Sequence, residues 1–118
     1  MARVRISIVF DSGARIGPGK AALLQSIRDT GSISAAAREM GMSYKRAWVL
    51  LDSINQAFTE PVVKAASGGA GGGGATLTAF GAEVLERYRR IHDRAAAIAD
   101  DDLAALKRRA RPDAGPKI

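Results

Sequence analysis

A mainly α fold with a small β component is what this 118-residue sequence predicts, and three observations carry the prediction. Four stretches repeat apolar residues at helical three-and-four spacing. Two of the four fall inside Ser32–Asp52, reading SISAAAREMGMSYKRAWVLLD, with Gly41 between them. Immediately afterwards, two short strand-like segments flank a run of glycines, which reads as a hairpin with a glycine tip.

From Arg3 to Phe10 the chain alternates, with Val4, Ile6, Ile8 and Phe10 on one face and Arg3, Arg5 and Ser7 on the other. That is the pattern of a half-buried strand. Asp11-Ser12-Gly13 turns the chain, Ala14–Ile16 is a short return strand, and Gly17-Pro18 opens a helix with proline at its favoured first position. This helix runs from about Pro18 to Thr30, buries Ala21, Leu24 and Ile27, and stops at Gly31.

Ser32 or Ser34 caps the next helix, which has an alanine-rich body and ends near Met40. Gly41 makes the sharp inter-helix turn, and Ser43 caps the helix that follows. Ala35, Ala36 and Ala37 allow a close crossing, which Met40, Met42, Ala47 and Leu50 seal. The pair is a helix-turn-helix whose second member offers Tyr44, Lys45, Arg46 and Val49 from its first turns, where a recognition helix meets base edges and phosphates. Its inward stripe is Ala47, Leu50, Leu51, Ile54 and Phe58, and Pro61 limits its extension beyond about Thr59. Tryptophan's general burial tendency favours Trp48 in the core or at its edge over the direct DNA contact that its place on the recognition helix also allows.

Val62–Ala66 and Ala75–Thr78 are the hairpin strands, and six of the 13 glycines sit in the loop Ser67–Gly74 between them. A hairpin directly after a recognition helix is the wing of a winged helix-turn-helix. Its glycines could cradle an anion with their amides or serve as a mobile tip lying along DNA. The loop leads into a strand rather than a helix and carries no lysine, which favours the tip. Thr78 then caps a long helix running to at least Ile98, with Arg109 as its outer limit, and with Phe80, Val84, Leu85, Tyr88, Ile91, Ala95 and Ile98 at helical spacing. That stripe outlasts one small core, so Tyr88, Ile91, Ala95 and Ile98 are read as a contact with a second copy of the chain. Residues 1–99 form the domain with its dimerisation helix, and 100–118 form a helix extension and a basic, disordered tail.

The net charge of +6 favours a polyanionic partner, double-stranded DNA before a membrane. There is no cysteine, which excludes disulfides and thiolate chemistry and makes the cytoplasm the default compartment. No apolar run approaches a membrane span of ~20 residues. His92 is the sole histidine, sits among alternating charges, and is expected at the surface rather than on a metal. With one histidine and acids interleaved with arginines, no convergent catalytic set is expected, no cofactor is implied, and the chain is not read as an enzyme.

The chain resembles the N-terminal DNA-binding part of the ModE family of molybdate-responsive transcriptional regulators, whose winged helix is similar to that of LysR-type regulators. The resemblance rests on Gly31-Ser32-Ile33-Ser34-Ala35-Ala36-Ala37, on Gly41-Met42-Ser43-Tyr44-Lys45-Arg46-Ala47-Trp48, and on the wing glycines with Leu77-Thr78 after them. With the leading strand and Gly17-Pro18-Gly19 it covers about Arg3 to Ile98. It implies a homodimeric, sequence-specific regulator of molybdate transport or molybdenum metabolism. Full-length members carry a C-terminal pair of molybdate-binding modules, and nothing after Ile98 has the length or strand alternation to form one. The resemblance therefore leaves three arrangements open: regulation without the oxyanion, a separate molybdate-sensing partner, or anion binding by the wing itself.

On this reading Tyr44, Lys45, Arg46 and Val49 read or anchor the operator. Ser32, Ser34 and Ser43 donate to phosphate, and Lys64 with the wing glycines, Gly71 and Gly72 among them, follows the neighbouring groove. Two recognition helices enter successive major grooves of a roughly palindromic site, ~34 Å apart. The competing expectations are an oxyanion-binding protein and a winged-helix protein-interaction module without specific DNA binding.

Overall fold

The computed structural model describes residues 3–66 and 74–112. In chain order these form β1 (Ile8–Val9), β2 (Arg15–Ile16), α1 (Pro18–Thr30), α2 (Ile33–Glu39), α3 (Tyr44–Ala57), β3 (Val63–Ala66), β4 (Gly74–Leu77), α4 (Ala79–Ile98) and α5 (Asp100–Arg109). It is a mainly helical, winged helix-turn-helix arrangement. Its core is built from Leu23, Leu24 and Ile27 of α1, Ile33 and Ala36 of α2, Ala47, Leu51 and Ile54 of α3, and Val84 and Leu85 of α4.

Local chemistry sets the helix ends. Gly31 and Gly41 take left-handed backbone angles, φ 67° and 66°, and so turn the chain where α1 and α2 finish. The side chains of Ser32, Ser43 and Thr78 accept the amide protons of Ala35, Arg46 and Gly81 at 3.1, 3.0 and 2.9 Å. Each satisfies a donor that the first helical turn would otherwise leave without a partner.

The N-terminal strand is shorter than its alternation suggests. Only Ile8 and Val9 pair, antiparallel to Ile16 and Arg15, because the return segment offers no more partners. The alternation survives as burial: Val4, Ile6, Ile8 and Phe10 are half-buried and the residues between them exposed. Two side chains of α4 hold the unpaired part. The Tyr88 hydroxyl donates to the Ile6 carbonyl at 2.8 Å, and His92 Nε2 donates to the Val4 carbonyl at 2.9 Å. His92 is thus half-buried at the surface and tethered to the N-terminal segment, a bond its charged neighbours do not announce.

Phe58 leaves α3 in an extended conformation, and its ring packs edge-on between Phe10 and Phe80, with centroids 5.3 and 5.2 Å away. The wing strands pair from Val63↔Leu77 to Ala66↔Gly74. Their base is fixed to the body: Ala75 N donates to the Gly31 carbonyl at 3.0 Å, and Ser32 bridges Gly74. The connection from α3 is held by Asn55, whose Oδ1 accepts from Val62 N at 2.8 Å and Val63 N at 3.3 Å.

The last helix is two helices. α4 ends at Ile98 and α5 starts at Asp100, with three aspartates in its first turn and Lys107, Arg108 and Arg109 in its last, complementing the helix dipole. Lys107–Arg109, which the sequence left between helix extension and tail, belong to this helix. The wing tip, including Gly71 and Gly72, and the tail beyond Pro112 lie outside the described residues.

Candidate nucleic-acid interface

α3 turns its apolar stripe, Ala47, Leu51 and Ile54, into the core and presents the opposite face to solvent. At about 100° per residue, Lys45, Val49, Asp52 and Gln56 run down the middle of the outer face. Tyr44 and Trp48 stand on one flank and Arg46 on the other. All seven are exposed. Tyr44 and Trp48 pair edge to face at 6.3 Å between centroids, and Gln56 Nε2 donates to Asp52 Oδ2 at 2.8 Å.

Trp48, expected in or beside the core, is 42% exposed. The signal was present in the helix geometry: Trp48 lies one turn after Tyr44, well away from the Ala47–Leu51–Ile54 stripe. Tryptophan's average burial outweighed that local periodicity.

The serines differ from one another. Ser32 Oγ and Ser43 Oγ each accept a backbone amide, so each hydroxyl keeps a proton to give to an outside acceptor. Ser34 lies exposed in the first turn of α2, and Arg38 is exposed in its last turn. Glu39, next to Arg38, accepts from the Ser26 hydroxyl at 2.7 Å, which engages that carboxylate with α1. Lys64 is exposed on β3, opposite Thr76. On the α2–α3 unit Arg38, Ser43, Lys45 and Arg46 are thus each exposed, and Ser32 is half-buried.

The residues expected at a dimer contact separate into two groups. Tyr88 is 5% exposed and committed to the core of its own chain, which also pushes its phenol pKa up through desolvation while the Arg5 guanidinium acts weakly the other way. Ile91 and Ile98 are open to solvent, the latter 85% exposed, and Ala95 is half-buried. Ile91 also borders an apolar cleft of about 230 Å³ walled by Ile8, Phe10, Phe58, Phe80 and Val84, with the Arg87–Glu83 pair, 2.7 Å apart, at its rim.

Among the described residues no three His, Asp or Glu side chains gather in a way that could hold a metal ion, and no helix is long and apolar enough to cross a membrane.

No family model matches the sequence. Individual proteins do. MopB of Rhodobacter capsulatus, a molybdenum-pterin-binding protein, is 51% identical over 80 residues, 68% of this chain and 30% of its own length. The molybdenum transport protein ModE of Azotobacter vinelandii is 37% identical over 87 residues, 74% of this chain and 32% of its own. The DNA-binding transcriptional dual regulator ModE of Escherichia coli K12 is 39% identical over 88 residues, 72% of this chain and 34% of its own. The chain thus spans about a third of the length of the curated relatives it matches. Among solved structures, the crystal structure of a CbnR_DBD–DNA complex superposes with a TM-score of 0.59 at 22% identity, covering 75% of this chain and 95% of that one, a likeness of fold.

Proposed function

Because the chain carries a ModE-like helix-turn-helix domain, we propose that it is a sequence-specific DNA-binding regulator of transcription linked to molybdate, acting as a homodimer on a roughly palindromic operator. The observation that carries this reading is the solvent face of α3, where Lys45, Arg46 and Tyr44 surround Val49 with none of the described elements covering them. A net charge of +6 supplies the long-range attraction to a polyanion.

The geometry supports the following roles. Lys45 and Val49 face the floor of a major groove, while Tyr44 and Arg46 on the two flanks reach its walls. The protons of Ser32 and Ser43 go to phosphate oxygens, adding to the dipoles of the helices they cap. Ser34 and Arg38 meet the same backbone, and Lys64 with the wing, Gly71 and Gly72 included, follows the adjacent groove. Ile91, Ala95 and Ile98, continuous with the apolar cleft beside Ile91, form the contact with the second copy. The relatives' names support the link to molybdenum, and the reading assigns no catalytic group and a site of action in the cytoplasm.

Selection of bound duplexes from a random library by the purified chain at near-physiological salt, with and without molybdate, tests this. A palindromic motif is expected. Recovery in both arms makes recognition independent of the oxyanion, and recovery only with molybdate assigns sensing to this chain. Failure to enrich any motif overturns sequence-specific recognition.

A further inference from the structure

Val49 stands at the centre of the outer face of α3, between Lys45 one turn before it and Asp52 and Gln56 after it. Those three are polar; Val49 is not, yet it is 53% exposed. Its branched side chain is nearly confined to one rotamer in a helix, so two methyl groups are held in a fixed direction toward solvent. It also has company: of the seven large hydrophobic side chains exposed among the described residues, Tyr44, Trp48 and Val49 share this one helix. Single exposed apolar residues are ordinary on a surface, whereas three within six residues of one helix, two of them paired ring to ring, point to something that covers them.

Charge indicates how that face meets DNA. Asp52 sits on the same line as Val49, and a carboxylate pressed against phosphates would be repelled, whereas over base edges it can accept from a cytosine amino group. Of the cations, Lys45 shares that line, where it can donate to a base edge, and Arg46 lies beside it. The Val49 line accordingly faces base edges, and the flanks face the backbone. Among the four bases only thymine shows an apolar group there, its 5-methyl.

We propose that Val49 is a specificity-determining residue that reads thymine through its 5-methyl group, with Trp48 shielding the contact from water on one side. The inference rests on the DNA-binding reading above and names what the centre of α3 recognises.

The test uses the duplex recovered from the library selection and replaces its thymines by deoxyuridine one at a time, which removes the methyl and leaves every hydrogen-bonding group. Wild-type affinity is expected to fall about fourfold at one thymine in each half-site, the size of one methyl returned to water. Val49→Ala is expected to lose about as much on the thymine duplex and nothing further on the deoxyuridine one. Val49→Thr, which keeps one methyl, is expected to regain part of the thymine preference. Because the side chain is exposed, all three proteins should melt together. Equal wild-type binding to every deoxyuridine duplex, or undiminished methyl sensitivity in Val49→Ala, overturns the assignment while leaving specific DNA binding intact. A selection that enriches no motif overturns both.

Discussion

Gly81, in the first turns of α4, faces the backbone carbonyl of Val62 so closely that a Cβ on it would overlap the carbonyl oxygen and lie 2.9 Å from the carbonyl carbon. The neighbour is main chain, held by the bonds from Val62 N to Asn55 and from Thr78 N to Val62 O, and cannot swing aside. Gly81→Ala is therefore expected to destabilise the domain by about 3 kcal/mol despite the better helix propensity of alanine. Urea denaturation followed by circular dichroism measures it; a stabilised or unchanged variant would show that α4 can move off the wing.

Asn55 serves two backbone donors with one oxygen. Asn55→Ala leaves the amides of Val62 and Val63 without their side-chain partner and is expected to cost about 1–3 kcal/mol. Faster hydrogen exchange at these two amides, read by NMR, is the specific signature. A loss of stability without it would place the effect elsewhere.

Ser43 combines a structural bond with a free proton, and two substitutions separate them. Ser43→Ala is expected to lower stability by about 1 kcal/mol, Ser43→Gly by only a few tenths. Both remove the hydroxyl, so both should weaken DNA binding alike. If affinity instead tracks stability, Ser43 is a cap and nothing more.

Tyr88 links stability to alkaline pH. Burial raises its folded pKa above the value near ~10 of an exposed tyrosine. Above that unfolded value the unfolded chain loses its proton first, so the contribution of the neutral buried phenol is full below it and is lost as pH rises through the folded pKa. Wild type should thus lose more stability between about pH 9 and 11 than Tyr88→Phe. Parallel slopes for the two proteins would mean the phenol is not desolvated.

Ile98 is almost fully exposed, so Ile98→Glu should leave the melting temperature unchanged while shifting sedimentation from dimer toward monomer. An unaltered sedimentation coefficient would remove the outer half of α4 from the contact between copies.

What could be read in the sequence is what depends on near neighbours in the chain. The caps Ser32, Ser43 and Thr78, the turn glycines Gly31 and Gly41, and the inward stripes of α1 and α3 are decided within a few residues, and the structure places them as their local chemistry requires. The misreadings involve residues whose surroundings come from far away. Tyr88 and His92 look like outer-face residues of a long helix until the N-terminal segment is laid across them. Gly81, inside a helical run, carries no sign in the sequence of the Val62 backbone that lies against it. Trp48 is the exception: its helical period, local to α3, already sets it apart from the Ala47–Leu51–Ile54 stripe, whereas the average burial of tryptophan points inward.

The Tyr88–Ile6 and His92–Val4 bonds join positions 82 and 88 residues apart. A ribosome adding roughly 5–20 residues per second takes on the order of ten seconds to cover that interval. Val4 and Ile6 are therefore made well before the α4 side chains that hold their carbonyls, and through that time they lack the helix that will cover them. During synthesis, the half-made chain has to remain soluble on its arginines, Arg3 and Arg5, which alternate with the very residues left uncovered.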